Sequence, residues 1–282
     1  MKLFLGVSLV MIAFAANSIL NRMALSSGAI DPASFASIRI GSGVVVLSLL
    51  LLFQGKFRNV LARPDISAVL GLTAYMIGFS FAYISLQAGI GALILFGGVQ
   101  ITMFIGAIIK GQKPLLLQWL GAFIAFVGLI YLLLPGGEMQ IDIRGAGLMS
   151  IAAVGWGIYS LRGQLVSNPL PATLINFVWS FPMAIVVVLA TQEIEISKAG
   201  CMLAVMSGGI TSALGYALWY KLLPQLNTST AAVSQLTVPV IAMVGGILFL
   251  GESLTTIFVV ASALVLGGVA LSVFGVKMTT AK

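Results

Sequence analysis

Histidine is absent from this 282-residue sequence, and charged residues of either sign are scarce. Only 7% of the residues are Asp, Glu, Lys or Arg, and seven of them are acidic, whereas soluble proteins carry about 25% charged residues. A single cysteine, Cys201, excludes an internal disulfide. A chain so poor in charge cannot cover the surface of a soluble globular domain.

Most of the chain is apolar. The chain is 60% hydrophobic, with a mean hydropathy of +1.15, and its apolar runs approach the ~20 residues that cross a bilayer as a helix. The alternation typical of lipid-facing barrel strands is absent. We therefore predict an all-α integral membrane protein with ten transmembrane helices. The predicted spans are residues 4–20, 33–53, 66–86, 90–109, 115–134, 146–161, 172–190, 201–220, 230–250 and 257–276.

The positions of Lys and Arg predict the orientation. If the N-terminus is cytoplasmic, ten of the 14 cations lie in inner segments, three lie in outer segments, and Arg39 lies within the second span. Cytoplasmic loops are enriched in Lys and Arg, so both termini are expected to face the cytoplasm of a bacterial-type inner membrane. The net charge of +7 then has a membrane explanation, and no nucleic-acid partner is needed.

The two halves of the sequence resemble each other at a shift of 139 to 140 residues. We interpret this as two five-helix repeats, residues 1–137 and 138–282; biased composition is the alternative explanation. An odd number of spans in each half inverts the second copy, as in secondary transporters whose substrate sites lie near mid-membrane. Matched pairs are Gly6 with Gly145, Ile12 with Ile151, Gly106 with Gly246 and Gly128 with Gly268.

Several short motifs resemble the EamA-type transporters of the drug/metabolite transporter superfamily. The resemblance covers essentially the whole chain. It implies two inverted five-helix halves, cytoplasmic termini and export of amino acids, related metabolites or drugs. The residues that carry it are Asp31, Pro32, Phe35 and Arg39; Gly155, Trp156 and Gly157; and Pro239, Gly251, Glu252, Ser253, Gly267 and Gly268.

Polar side chains inside the spans are the first candidates for substrate binding. Arg39 lies about seven residues into the second span, where a cation costs ~2.5 to 3.5 kcal/mol unless it is paired or hydrated. It is therefore a candidate carboxylate binder, although a structural role between helices is an equal alternative. Amides within spans either bind substrate or join helices. Those considered are Asn17, Gln100 and Gln235.

Aromatic side chains form the second group of candidates. Tyr75, Trp156 and Tyr216 lie deep in their spans and are expected to line a cavity. Tyr159, Trp219 and Tyr220 lie near span ends and are expected in the interfacial aromatic belt.

Missing motifs limit the mechanism. No phosphate-binding loop sequence occurs in the chain, so ATP-driven transport by this chain is excluded. The seven acids fall in connectors or at span edges, which argues against a buried carboxylate proton relay. The sequence therefore favours secondary or facilitative transport of a small molecule by alternating access. No metal or cofactor is expected.

Two alternatives remain at this point. An intramembrane enzyme would need a nucleophile with a base, a carboxylate pair or metal ligands. The lack of histidine and the position of the acids outside the spans argue against all three. A channel or a non-transporting scaffold is the other alternative. A channel would be distinguished by flux that does not saturate.

Overall fold

The fold consists of packed helices whose main contacts join helices that are distant in the chain. The computed structural model describes residues 2–55, 63–109, 111, 114–134, 141–163, 165–192, 194–226 and 234–280, without the side chains of 2, 224 and 273–280. These residues form ten helices. They are α1 Lys2–Ser26, α2 Pro32–Phe53, α3 Ile66–Ala82, α4 Ala88–Ile109, α5 Leu116–Leu133, α6 Ile143–Gly163, α7 Pro169–Thr191, α8 Lys198–Leu222, α9 Thr237–Leu250 and α10 Thr256–Thr280.

Each predicted span coincides with one of these helices, which confirms the all-α membrane fold. Six helices are long and apolar enough to cross a bilayer by themselves, namely α1, α2, α4, α5, α7 and α8. Helices α3 and α9 are apolar but shorter, and α6 carries arginine in both its first and last turns. The predicted start of the ninth span, Thr230, lies outside the described residues.

Local sequence signals set where several helices begin. The carboxylates of Asp31 and Asp65 accept backbone N–H bonds at the starts of α2 and α3, and the hydroxyl of Ser197 does the same for α8. Such caps satisfy N–H groups that have no partner within the helix. Pro32 and Pro169 occupy first helical positions, where the missing N–H costs nothing. These signals fix the connectors between long apolar segments.

The packing of the helices has an internal symmetry. Helix α2 packs on α7, α4 on α9, and α5 on α10. The contact of α3 with α6 is matched by that of α8 with α1, that of α4 with α6 by α9 with α1, and that of α2 with α8 by α7 with α3. These main contacts are retained when each helix is exchanged with the one five positions away in the chain.

Close crossings between helices depend on glycine. At the α5–α10 crossing, a Cβ on Gly268 would lie 2.5 Å from the backbone nitrogen of Ala125 and 2.6 Å from the carbonyl oxygen of Gly121. At the α3–α6 crossing, a Cβ on Gly155 would lie 2.5 Å from the carbonyl oxygen of Gly71. In lipid, no hydrophobic driving force brings helices together. Close backbone approach at glycine therefore supplies the van der Waals contacts that hold these pairs.

The connectors lie on two opposite faces of the bundle. On the first, called the Glu252 face, Arg22 lies 3.5 Å from Glu252 and donates to the carbonyl oxygens of Tyr83 and Ile84. Glu252 also accepts the N–H of Ala88 at 2.9 Å, and burial raises the pKa of its carboxyl group. These contacts tie the ends of α1, α3, α4 and α9 together and close this face.

The second face, called the Asp65 face, holds the α2–α3 and α6–α7 connectors. Arg162 at the end of α6 donates from Nε to Asp65 at the start of α3. Both side chains are partly exposed, so this ion pair contributes little to stability. A cavity of about 310 Å³ opens beside it.

Candidate functional site

Arg39 lies at the centre of the bundle with no exposed surface. Its Nε donates to the hydroxyl of Ser212 at 3.0 Å, and its Nη2 donates to the hydroxyls of Tyr75 at 3.1 Å and Tyr216 at 3.0 Å. These partners come from α3 and α8, which flank α2. A guanidinium is therefore held deep in the apolar bundle by three neutral hydroxyl groups.

Aromatic rings surround this cation. The Arg39 Cζ atom lies 5.4 Å from the ring centroid of Tyr75 and 5.0 Å from that of Phe79, and ring faces stabilise a desolvated cation by about 2 kcal/mol. The ring of Trp156 lies 4.8 Å from both Tyr75 and Tyr216. Helix α6 of the second half of the chain thus contributes to the wall around an arginine of the first half.

Asn17 on α1 extends the polar centre. Its Oδ1 accepts hydrogen bonds from Ser207 at 2.8 Å, Thr211 at 2.5 Å and Ser212 at 3.3 Å. Since Ser212 also accepts from Arg39, one hydroxyl links the amide to the guanidinium. We call the connected set of Asn17, Arg39, Tyr75, Phe79, Trp156, Ser212 and Tyr216 the Arg39 cluster.

A π-helical segment in α8 places these hydroxyls. Residues Met206–Leu214 have π-helical hydrogen bonding inside a helix that is otherwise α-helical, and such segments occur frequently at functional sites. A Cβ on Gly208 would lie 2.0 Å from the carbonyl oxygen of Arg39, so α2 and α8 touch through their backbones here. The sequence did not reveal Ser207, Thr211 or Ser212 as part of the site, although a run of small polar residues inside a span could have done so.

Three hydrogen-bond donors of the Arg39 cluster have no partner among the described residues. They are Arg39 Nη1, Asn17 Nδ2 and Trp156 Nε1, all buried. An unpaired buried donor costs about 1 to 3 kcal/mol, so three in one cluster call for a compensating role. The unpaired atoms are all donors, and a ligand that satisfied them would have to supply acceptor oxygens.

Two predicted site residues take no part in the contacts that define the cluster. Gln100 lies on α4, and Gln235 precedes α9. Gln100 Nε2 and Gln235 Oε1 are buried without a hydrogen-bond partner among the described residues. Their assignment to substrate binding stays a prediction.

The expectation of an interfacial belt at Tyr159, Trp219 and Tyr220 is wrong. These side chains are 0%, 1% and 3% exposed, because the ends of α6 and α8 pack against other helices instead of facing lipid headgroups. Tyr159 and Tyr220 stack on each other with centroids 5.4 Å apart, and Tyr159 lies 5.4 Å from Trp156. Nearness to a span end did not predict exposure, because side chains of other helices cover these three residues.

Known proteins resemble this chain over most of its length. Residues 143–274 match the EamA-like transporter family. An uncharacterized protein of Pseudomonas aeruginosa is 39% identical over 264 residues, covering 93% of this chain and 91% of that protein. A probable amino-acid metabolite efflux pump of Salmonella typhimurium is 26% identical over 253 residues, covering 82% and 84%.

A solved crystal structure shares the fold. It superposes with a TM-score of 0.65 at 18% identity and covers 94% of this chain and 98% of its own. The sequence match and the structural match therefore each cover more than nine-tenths of this chain. The chain belongs to the EamA-like transporter family of the drug/metabolite transporter superfamily and is a multi-pass membrane transporter.

Proposed function

We propose that this transporter exports small carboxylate-bearing metabolites, such as amino acids and related compounds, and binds them at the Arg39 cluster. The observation that carries the proposal is a set of buried donors, around a buried guanidinium, that have no partner among the described residues. A carboxylate offers a negative charge and about four acceptor sites, which suits guanidinium, indole and amide N–H groups. The name of the Salmonella relative, an amino-acid metabolite efflux pump, supports this substrate class.

The two halves, residues 1–137 and 138–282, are proposed to be inverted five-helix repeats. The symmetric packing of the helices supports this division. The cluster draws Asn17, Arg39 and Tyr75 from the first half and Trp156 and Tyr216 from the second. A site between inverted repeats is reached from either side when one half rocks against the other.

Transport is proposed to be secondary or facilitative, with passive downhill export preferred. The described part of the cluster contains hydroxyl, amide, indole and guanidinium groups but no carboxylate. Proton relays inside membranes rely on Asp, Glu or His. The same chemistry disfavours an enzyme, since no carboxylate contacts these hydroxyls among the described residues to act as a general base.

The protein is proposed to lie in a bacterial-type inner membrane with both termini in the cytoplasm. The asymmetry of ten cations against three supports this orientation. The Asp65 face, with Arg162 and Arg63, would then be cytoplasmic. The Glu252 face, closed by the Arg22–Glu252 contact, would face outward, so this conformation precedes release to the outside.

The test compares metabolites inside and outside cells that express the wild type or Arg39→Gln. Wild-type cells should accumulate carboxylate-bearing metabolites outside. Arg39→Gln should lower that export at least about tenfold, which corresponds to ~1.4 kcal/mol, while membrane levels stay normal. Arg144→Gln, which changes an exposed arginine, is the matched control. Normal export per molecule with Arg39→Gln, or loss of its abundance alone, would show that the role of Arg39 is structural.

Trp156→Ala tests the aromatic wall of the same site. The variant removes ring contacts at 4.8 Å to Tyr75 and Tyr216 together with an unpaired donor. Export should fall severalfold for every substrate, because the wall contributes to binding without selecting charge.

Export by the wild type, measured in liposomes, should saturate with substrate concentration. Flux that rises linearly would support the channel alternative instead.

A further inference from the structure

The cavity on the Asp65 face has its own binding chemistry. Its volume of about 310 Å³ lies at the lower end of small-molecule sites, which occupy ~300 to 1,000 Å³. Among the described residues, its lining includes Arg63 and Arg162 and one acidic residue, Asp65. Asn168 and Asn176 add side-chain amides. The lining is therefore net positive and rich in donors.

A pair of stacked tyrosines lies between this cavity and the Arg39 cluster. Tyr220 lines the cavity and stacks on Tyr159 with ring planes inclined by 21°. Its hydroxyl donates to the carbonyl oxygen of Tyr159 at 3.2 Å. Tyr159 in turn contacts Trp156. A continuous row of rings thus leads from the cavity to the cluster.

Gly163 sets the position of the Tyr220 ring. A Cβ on Gly163 would lie 2.4 Å from Tyr220 Cζ, so a larger residue there would displace the ring. The Tyr220 ring is almost fully buried, but it borders the cavity, which gives it space to turn into. Side-chain rotation into that space would open the stack without unfolding of either helix.

We propose that the cavity is a loading site for the carboxylate substrate, and that the Tyr159–Tyr220 stack is the inner gate between the cavity and the Arg39 cluster. The proposal rests on the proposed function of that cluster. A carboxylate would first meet Arg63, Arg162 and the two asparagines. Rotation of Tyr220 would then admit it to the ring row and to Arg39.

Cysteine accessibility tests the gate without measuring transport. In a Cys201→Ser background, the reporter Ser212→Cys marks the cluster and the reporter Ala172→Cys marks the cavity. A charged, membrane-impermeant thiol reagent is added to inside-out vesicles. Ala172→Cys should react rapidly and Ser212→Cys slowly. Adding Tyr220→Ala should speed the reaction of Ser212→Cys at least tenfold, whereas Tyr131→Ala, on the lipid-facing side of α5, should leave it unchanged.

Two further variants separate gating from general loosening. Tyr220→Phe keeps the ring and should keep Ser212→Cys slow, while Tyr220→Leu, which preserves apolar volume, should speed it. Equal rates for Tyr220→Phe and Tyr220→Leu would overturn the gate. If Tyr220→Ala lowers protein levels, this comparison still decides the question.

Protection from the same reagent tests the loading site. L-Threonine should slow the reaction of Ala172→Cys more than L-threoninamide, which lacks the carboxylate charge. Arg63→Gln should raise the half-protecting concentration at least tenfold, and Arg39→Gln should not change it. Equal protection by the two compounds, or no protection, would overturn the loading site. Protection that survives in Arg39→Gln while export remains normal would refute only the assignment of Arg39.

Discussion

At the scale of single residues, the unusual feature is a buried arginine whose described hydrogen-bond partners are all neutral. A paired carboxylate would neutralise Arg39 permanently, whereas Tyr75, Ser212 and Tyr216 hold it and leave its charge uncompensated. The positive charge is then available to a ligand. Burying a cation without a counter-charge is costly, and the cluster tolerates this through its hydrogen bonds and ring faces.

Ser212→Ala should destabilise the protein, because Arg39 Nε would join Nη1 as an unpaired buried donor. The expected loss is about 1 to 3 kcal/mol of unfolding free energy, seen as a lower Tm of the purified protein in detergent. Ser150→Ala is the matched control, since the hydroxyl of Ser150 bonds the carbonyl oxygen of Ala146 in its own helix. An equal Tm for the two variants would contradict the bridging role of Ser212.

At the scale of helices, small residues decide where the backbones meet. The π-helical segment of α8 and Gly208 bring α8 against α2 beside Arg39, and the glycines of α5 and α10 join two helices that lie outside the cluster. Gly267 and Gly268 are neighbours in sequence but point in different directions. A Cβ on Gly267 would have no neighbouring atom within 4 Å among the described residues, whereas a Cβ on Gly268 would meet the backbone of α5.

Gly268→Ala should therefore weaken the α5–α10 contact, while Gly267→Ala should not. Backbone atoms cannot move aside as a side chain would, so the added methyl group should cost about 1 to 3 kcal/mol. The measurement is the folded fraction of the purified protein, determined by size-exclusion chromatography. If Gly267→Ala were the more harmful change, the assignment of the packed face of α10 would be wrong.

At the scale of the whole molecule, the arrangement separates a closed face from an accessible one. The connectors of the Glu252 face are tied to each other by Arg22, Glu252 and the pairing of Asp31 with Glu195. The Asp65 face has an ion pair and a cavity. A carrier that alternates between two conformations must break one set of contacts to form the other, and the contacts of both faces join different halves of the chain.

The orientation of these faces is tested by reporter fusions. A reporter that is active only in the cytoplasm should be active when fused after Lys282 and inactive when fused after Glu138, since five spans precede Glu138 and ten precede Lys282. A periplasmic reporter at the same two positions is the control and should give the reverse pattern. Cytoplasmic activity at Glu138 would refute both the span count and the inverted repeat.

The sequence by itself determined the membrane class, the ten helices and the family. Apolar runs near 20 residues have few alternatives in lipid, because every backbone N–H and C=O group must be satisfied within the segment. It also indicated Asn17, Arg39, Tyr75, Trp156 and Tyr216, since polar or large aromatic groups inside spans are rare enough to notice. These five residues proved to lie in one connected cluster.

Only the tertiary structure decided which of these residues meet and which partners they have. Phe79 carries no visible signal, because a ring in an apolar helix gives the same local pattern whether it faces lipid or a neighbouring helix. Ser212 belongs to a run of small polar residues, but that run does not show which helix it faces. Burial of Tyr159 and Tyr220 likewise depended on neighbours far away in the chain. Local sequence determines where helices form. Which side chains meet depends on how each helix is rotated about its axis and at what angle it crosses its neighbours, and these are decided by tertiary packing.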